Sequence, residues 1–311
     1  MAVETTNSIS TETRTLPECK YVVSGSWTLS DSEKYCERLA KSHYENFLVA
    51  SAFVPKHLRQ HFYNIYAYCR ISDDLGDESG GPDNALPLLN WWEKELSSCY
   101  AGAPEHPVFV ALAKTNSEFK IPIKPYADLL SAFRQDQIIT RFDTYAGVLD
   151  YCERSANPVG RLVLYLAGYS DDKRQLLSDK TCTALQLANF WQDVERDYKI
   201  GRIYIPLEDM ATFGVTEQEI AQRQFSDRFA KLMKFECDRT DELFQLGLEL
   251  LPLVNKSVRL DIEMFSRGGQ EIIRKIRSQN YDVLTTRPKI PKSRQITMLL
   301  GRLVAGIFAR K

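Results

Sequence analysis

Two pairs of aspartates, each spaced four residues apart inside an otherwise apolar helical pattern, constrain this chain more than any other feature. They lie in Ser72-Asp73-Asp74-Leu75-Gly76-Asp77-Glu78 and in Gln192-Asp193-Val194-Glu195-Arg196-Asp197. On a helix this spacing stacks carboxylates on one face, with Cβ atoms about 6 Å apart. Like charges about 4 Å apart repel by roughly 4 kcal/mol at an effective dielectric of about 20. Tyr66, Arg70, Asp73 and Asp77 continue the first stripe, and Gln186, Asn189, Asp193 and Asp197 the second. Leu185, Leu187, Ala188, Phe190 and Trp191 flank the latter. A polar stripe with apolar flanks belongs on a wet cavity inside a helical bundle. Facing pairs of this kind need a cation, and hard carboxylate oxygens suit Mg²⁺ better than zinc. Because magnesium keeps most of its positions for water and phosphate oxygens, the stripes point to diphosphate chemistry.

The rest of the chain is helix after helix with short breaks. Ser30-Asp31-Ser32-Glu33 has the form of a capping box, Pro55 opens a segment through about residue 75, and Pro82 opens another to the Gly102–Pro107 loop. Helices are predicted after Pro122–Pro125, over Tyr145–Gly168 with a bend near Asn157-Pro158, from Asp171 or Asp172 to Gly201, and over 216–222, 225–251, 255–278 and 291–309. Strand alternation and internal repeats are absent, so one all-α domain is expected over 30–285, a helical bundle around a central cavity. Residues 1–29, rich in Ser, Thr and Glu, are predicted to be a disordered tail, and 286–311 a basic amphipathic segment.

Composition removes several function classes. Forty basic and 41 acidic residues create no overall field for nucleic acid. Seven scattered cysteines without a C-x-x-C read as reduced thiols of a cytoplasmic protein. His57 and His61 have metal-pair spacing but no third ligand nearby. No secretory signal or membrane-spanning stretch is present in the sequence. Seven basic and no acidic residues between Arg287 and Lys311 accompany an apolar stripe, Ile296, Leu299, Leu300, Leu303, Val304 and Ile307. That tail either docks on the inner face of an anionic membrane or packs on the domain.

At the two stripes the chain resembles the squalene/phytoene synthase family, the head-to-head isoprenyl diphosphate synthases. The paired aspartate motifs, the upstream Tyr66 and Arg70, and the run from Gln186 to Asp197 carry the resemblance over roughly residues 38–285. His43-Tyr44-Glu45-Asn46-Phe47, Phe133-Arg134-Gln135-Asp136-Gln137 and Arg154-Ser155-Ala156-Asn157-Pro158-Val159-Gly160-Arg161 look most like the hydroxysqualene synthase branch of bacterial hopanoid pathways. The resemblance implies an isoprenoid-synthase fold and an isoprenoid diphosphate substrate. It implies Asp73, Asp77, Asp193 and Asp197 as Mg²⁺ ligands, and diphosphate contacts from Arg70, Arg202, Gln186, Asn189 and Tyr204. Phe47, Tyr66 and Tyr151 would line the reaction centre. Asn46, Ala156, Val159, Gly160, Leu187 and Gln192 would line the cavity. Two departures stand out: Gln192 replaces a frequent arginine, and Asn46 a frequent serine.

The expected reaction is Mg²⁺-dependent ionisation of presqualene diphosphate, with water capture giving hydroxysqualene. Aromatic faces at Phe47, Tyr66, Tyr68 and Tyr151 would stabilise the cation; ordinary core packing is their alternative role. The bend at Asn157–Gly160, with Ala156, Val159 and Leu187, would wall a prenyl tunnel, or be a plain packing kink. Arg70 and Arg202 would clamp diphosphate, or simply pair with neighbouring carboxylates. A presqualene diphosphate synthase and a hydroxysqualene oxidase would be the pathway partners. Competing expectations are condensation of two farnesyl or geranylgeranyl diphosphates to presqualene diphosphate, squalene or phytoene, and a non-catalytic assembly factor. The first needs turnover of the smaller diphosphates, and the second tolerates loss of the aspartates.

Overall fold

A computed structural model describes residues 16–42 and 55–289, and its regular structure is helical. α1 (Leu29–Ser42), α2 (Arg59–Asp77), α3 (Pro82–Tyr100), α4 (Pro107–Phe119) and α5 (Lys124–Gln135) form the N-terminal half. α6 (Tyr145–Ser155) and α7 (Asn157–Leu166) lead into the long α8 (Asp172–Lys199). α9 (Leu207–Phe213), α10 (Glu217–Ala221), α11 (Asp227–Leu248) and α12 (Lys256–Ser278) complete the bundle. Among the described residues the only bridge between extended segments is an isolated one, Arg141 to Ile203.

Two large apolar cores divide the molecule, beside a small cluster of Leu164, Leu250, Val254 and Val258. One gathers α1–α5 around Tyr68, Trp92, Phe109 and Tyr126, and takes Leu162 and Leu166 from α7. The other surrounds α8, which packs along α7, α11 and α12, and contains Leu187, Trp191, Phe229 and Phe244. At about 1.5 Å rise per residue α8 is roughly 42 Å long, enough to run the length of a domain. Its backbone leaves helical geometry at Asp193 (φ −109°, ψ 15°), inside the second acidic motif.

Several boundaries differ from the expected ones for local reasons. The cap of α1 is Thr28, whose Oγ1 accepts the Asp31 N–H at 3.2 Å, not Ser30. α4 was not anticipated, because its N-cap is a histidine: Nδ1 of His106 accepts the Val108 N–H at 3.2 Å, a role usually filled by Ser, Thr, Asp or Asn. The single bent helix expected over Tyr145–Gly168 is two helices that meet at Ala156 (φ −114°, ψ −47°), with Pro158 in the first turn of α7. The disordered tail expected over 1–29 does not extend through its later part: residues 16–28 lie on the bundle, with Tyr21 only 5% exposed, and Leu29 begins α1. The helix expected over 291–309 lies outside the described residues. All seven cysteines are free. No described helix is long and apolar enough to cross a membrane.

Candidate active site

The first stripe forms as its spacing predicts, at the C-terminal end of α2. Asp73 and Asp77 keep much of their side chains open, whereas Asp74, between them, is buried. Arg70 joins the group: Nη1 lies 3.3 Å from Asp73 Oδ2, and Nη2 lies 3.0 Å from Glu78 Oε1 and also pairs with Asp74 Oδ1. Burial, and then the neighbouring Asp77, push the Asp73 carboxyl up to about 6, although Arg70 opposes the shift. Tyr66 is partly buried against the N-terminal core.

The second stripe occupies the last turns of α8, where the break at Asp193 tilts the helix end. Asn189 is exposed and Gln186 half-buried. Asp193 is gripped by Arg287, with Nε–H 2.5 Å from Oδ1 and Nη2 2.9 Å from Oδ2. Gln192 is buried, and its amide donates to the Pro288 carbonyl at 2.6 Å. Burial and the Asp193 charge push Asp197 up to about 7, against the pull of Arg202, Arg196 and Arg287.

Arg202 connects the two motifs. Its backbone N–H donates to the Asp197 carbonyl at 2.8 Å. Its Nη2 reaches Asp77 Oδ1 and the Asp136 carbonyl, each at 3.4 Å. Gly201 makes this possible: with φ +84° it turns the chain sharply off α8. Beside Arg202 lies a buried aromatic group. Tyr204 stacks on Phe190 with centroids 3.8 Å apart, and Phe142 and Tyr151 pack around it. The Tyr151 hydroxyl donates to Asp136 Oδ2 at 2.8 Å. Burial raises the Asp136 carboxyl to about 6, with Arg202 and Tyr151 opposing, and burial holds the Tyr151 phenol well above its usual range.

Each motif offers two carboxylates, and among the described residues no group of three or more His, Cys, Asp or Glu could hold an ion unaided. That donor set leaves most positions of an octahedral ion to water and phosphate oxygen, as Mg²⁺ requires. Burial and a neighbouring aspartate raise the carboxyls of Asp73 and Asp197, and a guanidinium sits on Asp193.

Other expected residues fall elsewhere. Phe47 and Asn46 lie outside the described residues. Tyr68 is fully buried in the N-terminal core and donates to the Tyr126 carbonyl at 2.8 Å, so it is a core tyrosine and not a cation-facing one. The space left by Gly160 is taken by α8: an added Cβ would strike Cys182 and Ser178. Gly160 therefore sets a close helix approach, while Leu187 is fully buried in the C-terminal core. Ala156 joins α6 to α7, and Val159 is 43% exposed. His61 is buried, with Nδ1 3.1 Å from the Thr115 hydroxyl, its ring edge-on to Phe119 and Nε2 3.5 Å from Glu118 Oε2. Asp136, Phe142 and Arg287 also border the site, although no spacing marks them, whereas Phe190 is a flank of the second stripe. Asp136 stands within Phe133–Gln137, off either stripe.

The family model for squalene/phytoene synthase matches residues 28–294. This chain belongs to the squalene/phytoene synthase family. The phytoene synthase of Arthrospira platensis is 29% identical over 295 residues, covering 90% of this chain and 96% of that protein. The 15-cis-phytoene synthase of Synechococcus elongatus is 28% identical, covering 88% and 92%. Among solved structures, the squalene synthase HpnC from Alicyclobacillus acidocaldarius is 44% identical with a TM-score of 0.79, covering 81% of this chain and 95% of that one. A ligand-bound dehydrosqualene synthase is 27% identical with the same TM-score of 0.79, covering 89% and 97%. Family membership makes the chain an isoprenoid synthase of a divalent-metal-dependent family, with which an isoprenoid diphosphate substrate is consistent.

Proposed function

We propose that this squalene/phytoene synthase family member ionises presqualene diphosphate and lets water capture the cation, giving hydroxysqualene and diphosphate. The observation that carries it is the junction at Arg202, where both acidic motifs meet a buried aromatic group with an acidic partner for Tyr151. The 44% identity to HpnC, against 24–29% to the phytoene synthases, supports this branch.

Asp73 and Asp77 on one side, and Asp193 and Asp197 on the other, would hold Mg²⁺. Bound there, the metal supplies Lewis-acid neutralisation of the leaving diphosphate. Arg70, Arg202 and Arg287 bring guanidinium groups to the same oxygens, a geometry suited to phosphate. Gln186, Asn189 and Tyr204 complete the contacts. The C–O bond to diphosphate breaks with its electron pair leaving on oxygen, and the cyclopropylcarbinyl cation opens to the linear skeleton. Tyr66, Tyr151 and Tyr204 offer ring faces to that cation, each worth up to about 2 kcal/mol when desolvated. Phe47 and Asn46 join them in this proposal, as do Ala156 and Val159 along the prenyl chains. Water then forms the new C–O bond; Tyr151 orients it, and Asp136 accepts the proton released. The pathway neighbours would be a presqualene diphosphate synthase and a hydroxysqualene oxidase. In this reading the protein works in the cytoplasm, where its basic tail would dock on the inner face of the membrane.

The test is to give purified protein and Mg²⁺ presqualene diphosphate, farnesyl diphosphate or geranylgeranyl diphosphate separately, and to identify products by mass spectrometry. Hydroxysqualene from the first is expected. The second reading, condensation of two smaller prenyl diphosphates, is favoured by the phytoene synthase relatives. It wins if only farnesyl or geranylgeranyl diphosphate is consumed.

A further inference from the structure

Residues 16–28 carry no helix, yet they lie across the end of α2 that bears the first acidic motif. A turn closed by the Val22 N–H on the Cys19 carbonyl (3.1 Å) puts Lys20 and Tyr21 at its corner. The turn is held from beneath by His106. Its Nδ1 accepts the Val108 N–H, so the neutral ring carries its proton on Nε2 and donates to the Tyr21 carbonyl at 3.1 Å. The Tyr21 ring is buried, and its hydroxyl donates to Asp74 Oδ2. Lys20 Nζ stands 3.6 Å from the same oxygen and 3.4 Å from Glu78 Oε2.

The other oxygen of Asp74 pairs with Arg70 Nη2. Asp74 is therefore shared between the strap and the arginine. The two nitrogens at the guanidinium's tip have different kinds of partner. Nη2 is tied to the buried Asp74 and to Glu78, while Nη1 touches Asp73, one of the open carboxylates expected to hold metal. With Asp73 and Asp77 engaged in holding a cation, Arg70 Nη1 would be left without Asp73, while the Asp74 tie would stay. For that tie to hold, the remaining charge on Asp74 needs its own donors, since a buried carboxylate oxygen without one is costly. The strap provides one hydrogen-bond donor, the Tyr21 hydroxyl, and a nearby positive charge, Lys20.

We propose that Tyr21 and Lys20 are positioning residues that brace Asp74, so that Arg70 stays anchored through Nη2 and presents Nη1 to diphosphate. The proposal rests on the diphosphate-site reading given above. Without the strap, Asp74 draws Arg70 inward to satisfy both of its oxygens, and the guanidinium retracts from the substrate.

Calorimetric titration of the full chain with inorganic pyrophosphate and Mg²⁺ tests it, on wild type, Tyr21→Phe, Lys20→Met, Arg70→Lys and the Tyr21→Phe/Arg70→Lys pair. Tyr21→Phe keeps the ring and removes one hydroxyl, and Lys20→Met alters an exposed side chain that cannot unfold the domain. Tyr21→Phe is expected to weaken pyrophosphate binding about three- to tenfold, and Lys20→Met about twofold, as loss of one hydrogen bond and one screened charge would. KM should rise with kcat nearly constant. The Tyr21→Phe effect should vanish once Arg70 is lysine, because it acts through that guanidinium. Wild-type-like binding by both single variants, or additive effects in the pair, would overturn the strap's role. A wild type that binds no pyrophosphate would overturn the diphosphate site and the strap with it.

Discussion

The two acidic motifs have the same spacing and opposite support. The first lies on an unbroken helix and is braced: buried Asp74 ties Arg70, Tyr21 and Lys20 together behind the open Asp73 and Asp77. The second lies on a helix that breaks at Asp193, and its bracing comes from the far end of the described chain, through Gln192 to Pro288 and Arg287 to Asp193. One motif has its bracing arginine, Arg70, beside it in sequence, and the other adds to its neighbouring Arg196, 3.6 Å from Asp193, a second arginine from 94 residues away. The first is thus a prebuilt half-site. The second depends on where residues 286–289 sit, and its Asp197 carries the more strongly raised carboxyl.

Removing a ligand from either motif breaks the comparison most severely. Asp77→Asn and Asp197→Asn should each lower turnover by about 100-fold or more, in line with losing a group that stabilises a developing charge. Steady-state kinetics with presqualene diphosphate checks this; a loss confined to one variant would show that only one motif handles diphosphate. Arg202→Ala, which cuts the link between the motifs, should cost about 30-fold, the scale of a charge-assisted contact. Arg287→Ala should affect the second motif alone. Substrate binding weakens about tenfold, while Mg²⁺ without substrate binds more tightly because a competing guanidinium is gone. Titration calorimetry with each ligand separates the two effects.

The smallest effects sharpen the contrast between the halves through pH. In the N-terminal core, burial lowers His106 to about 4. The unfolded chain takes up that proton near pH 6.5, so stability present above 6.5 is lost as pH falls toward 4. In the C-terminal core, burial raises Glu236 to about 8 despite Arg239 beside it. The folded state holds a proton that the unfolded chain releases near 4.5, so stability full below 4.5 is lost as pH rises through 8. Glu236→Gln should flatten the plot of melting temperature against pH between about 4.5 and 8. An unchanged slope across that window would contradict this assignment.

The helical class and both stripes were readable because apolar spacing and aspartate spacing repeat with the helix period. Thr144, Asp171 and Gly201 delimit helices as their chemistry dictates. What escaped were contacts that join distant segments. His106 as a cap, Asp136 beneath Tyr151, and Tyr21 and Arg287 on the acidic motifs have no local pattern, since each partner lies 15 to 94 residues away or is an atypical residue for its role. Gly160 was legible as a small residue, but whether the space above it holds substrate or a neighbouring helix is decided only by packing.

The central claim is that both motifs serve one diphosphate. A crystal structure of the protein with Mn²⁺ in place of Mg²⁺ and inorganic pyrophosphate, with metal positions read from anomalous scattering, tests it most directly. Anomalous peaks are expected beside Asp73 and Asp77 and beside Asp193 and Asp197, bridged by a single pyrophosphate within reach of Arg70, Arg202 and Arg287. Metal at one motif only, or pyrophosphate bound away from both, would contradict the account.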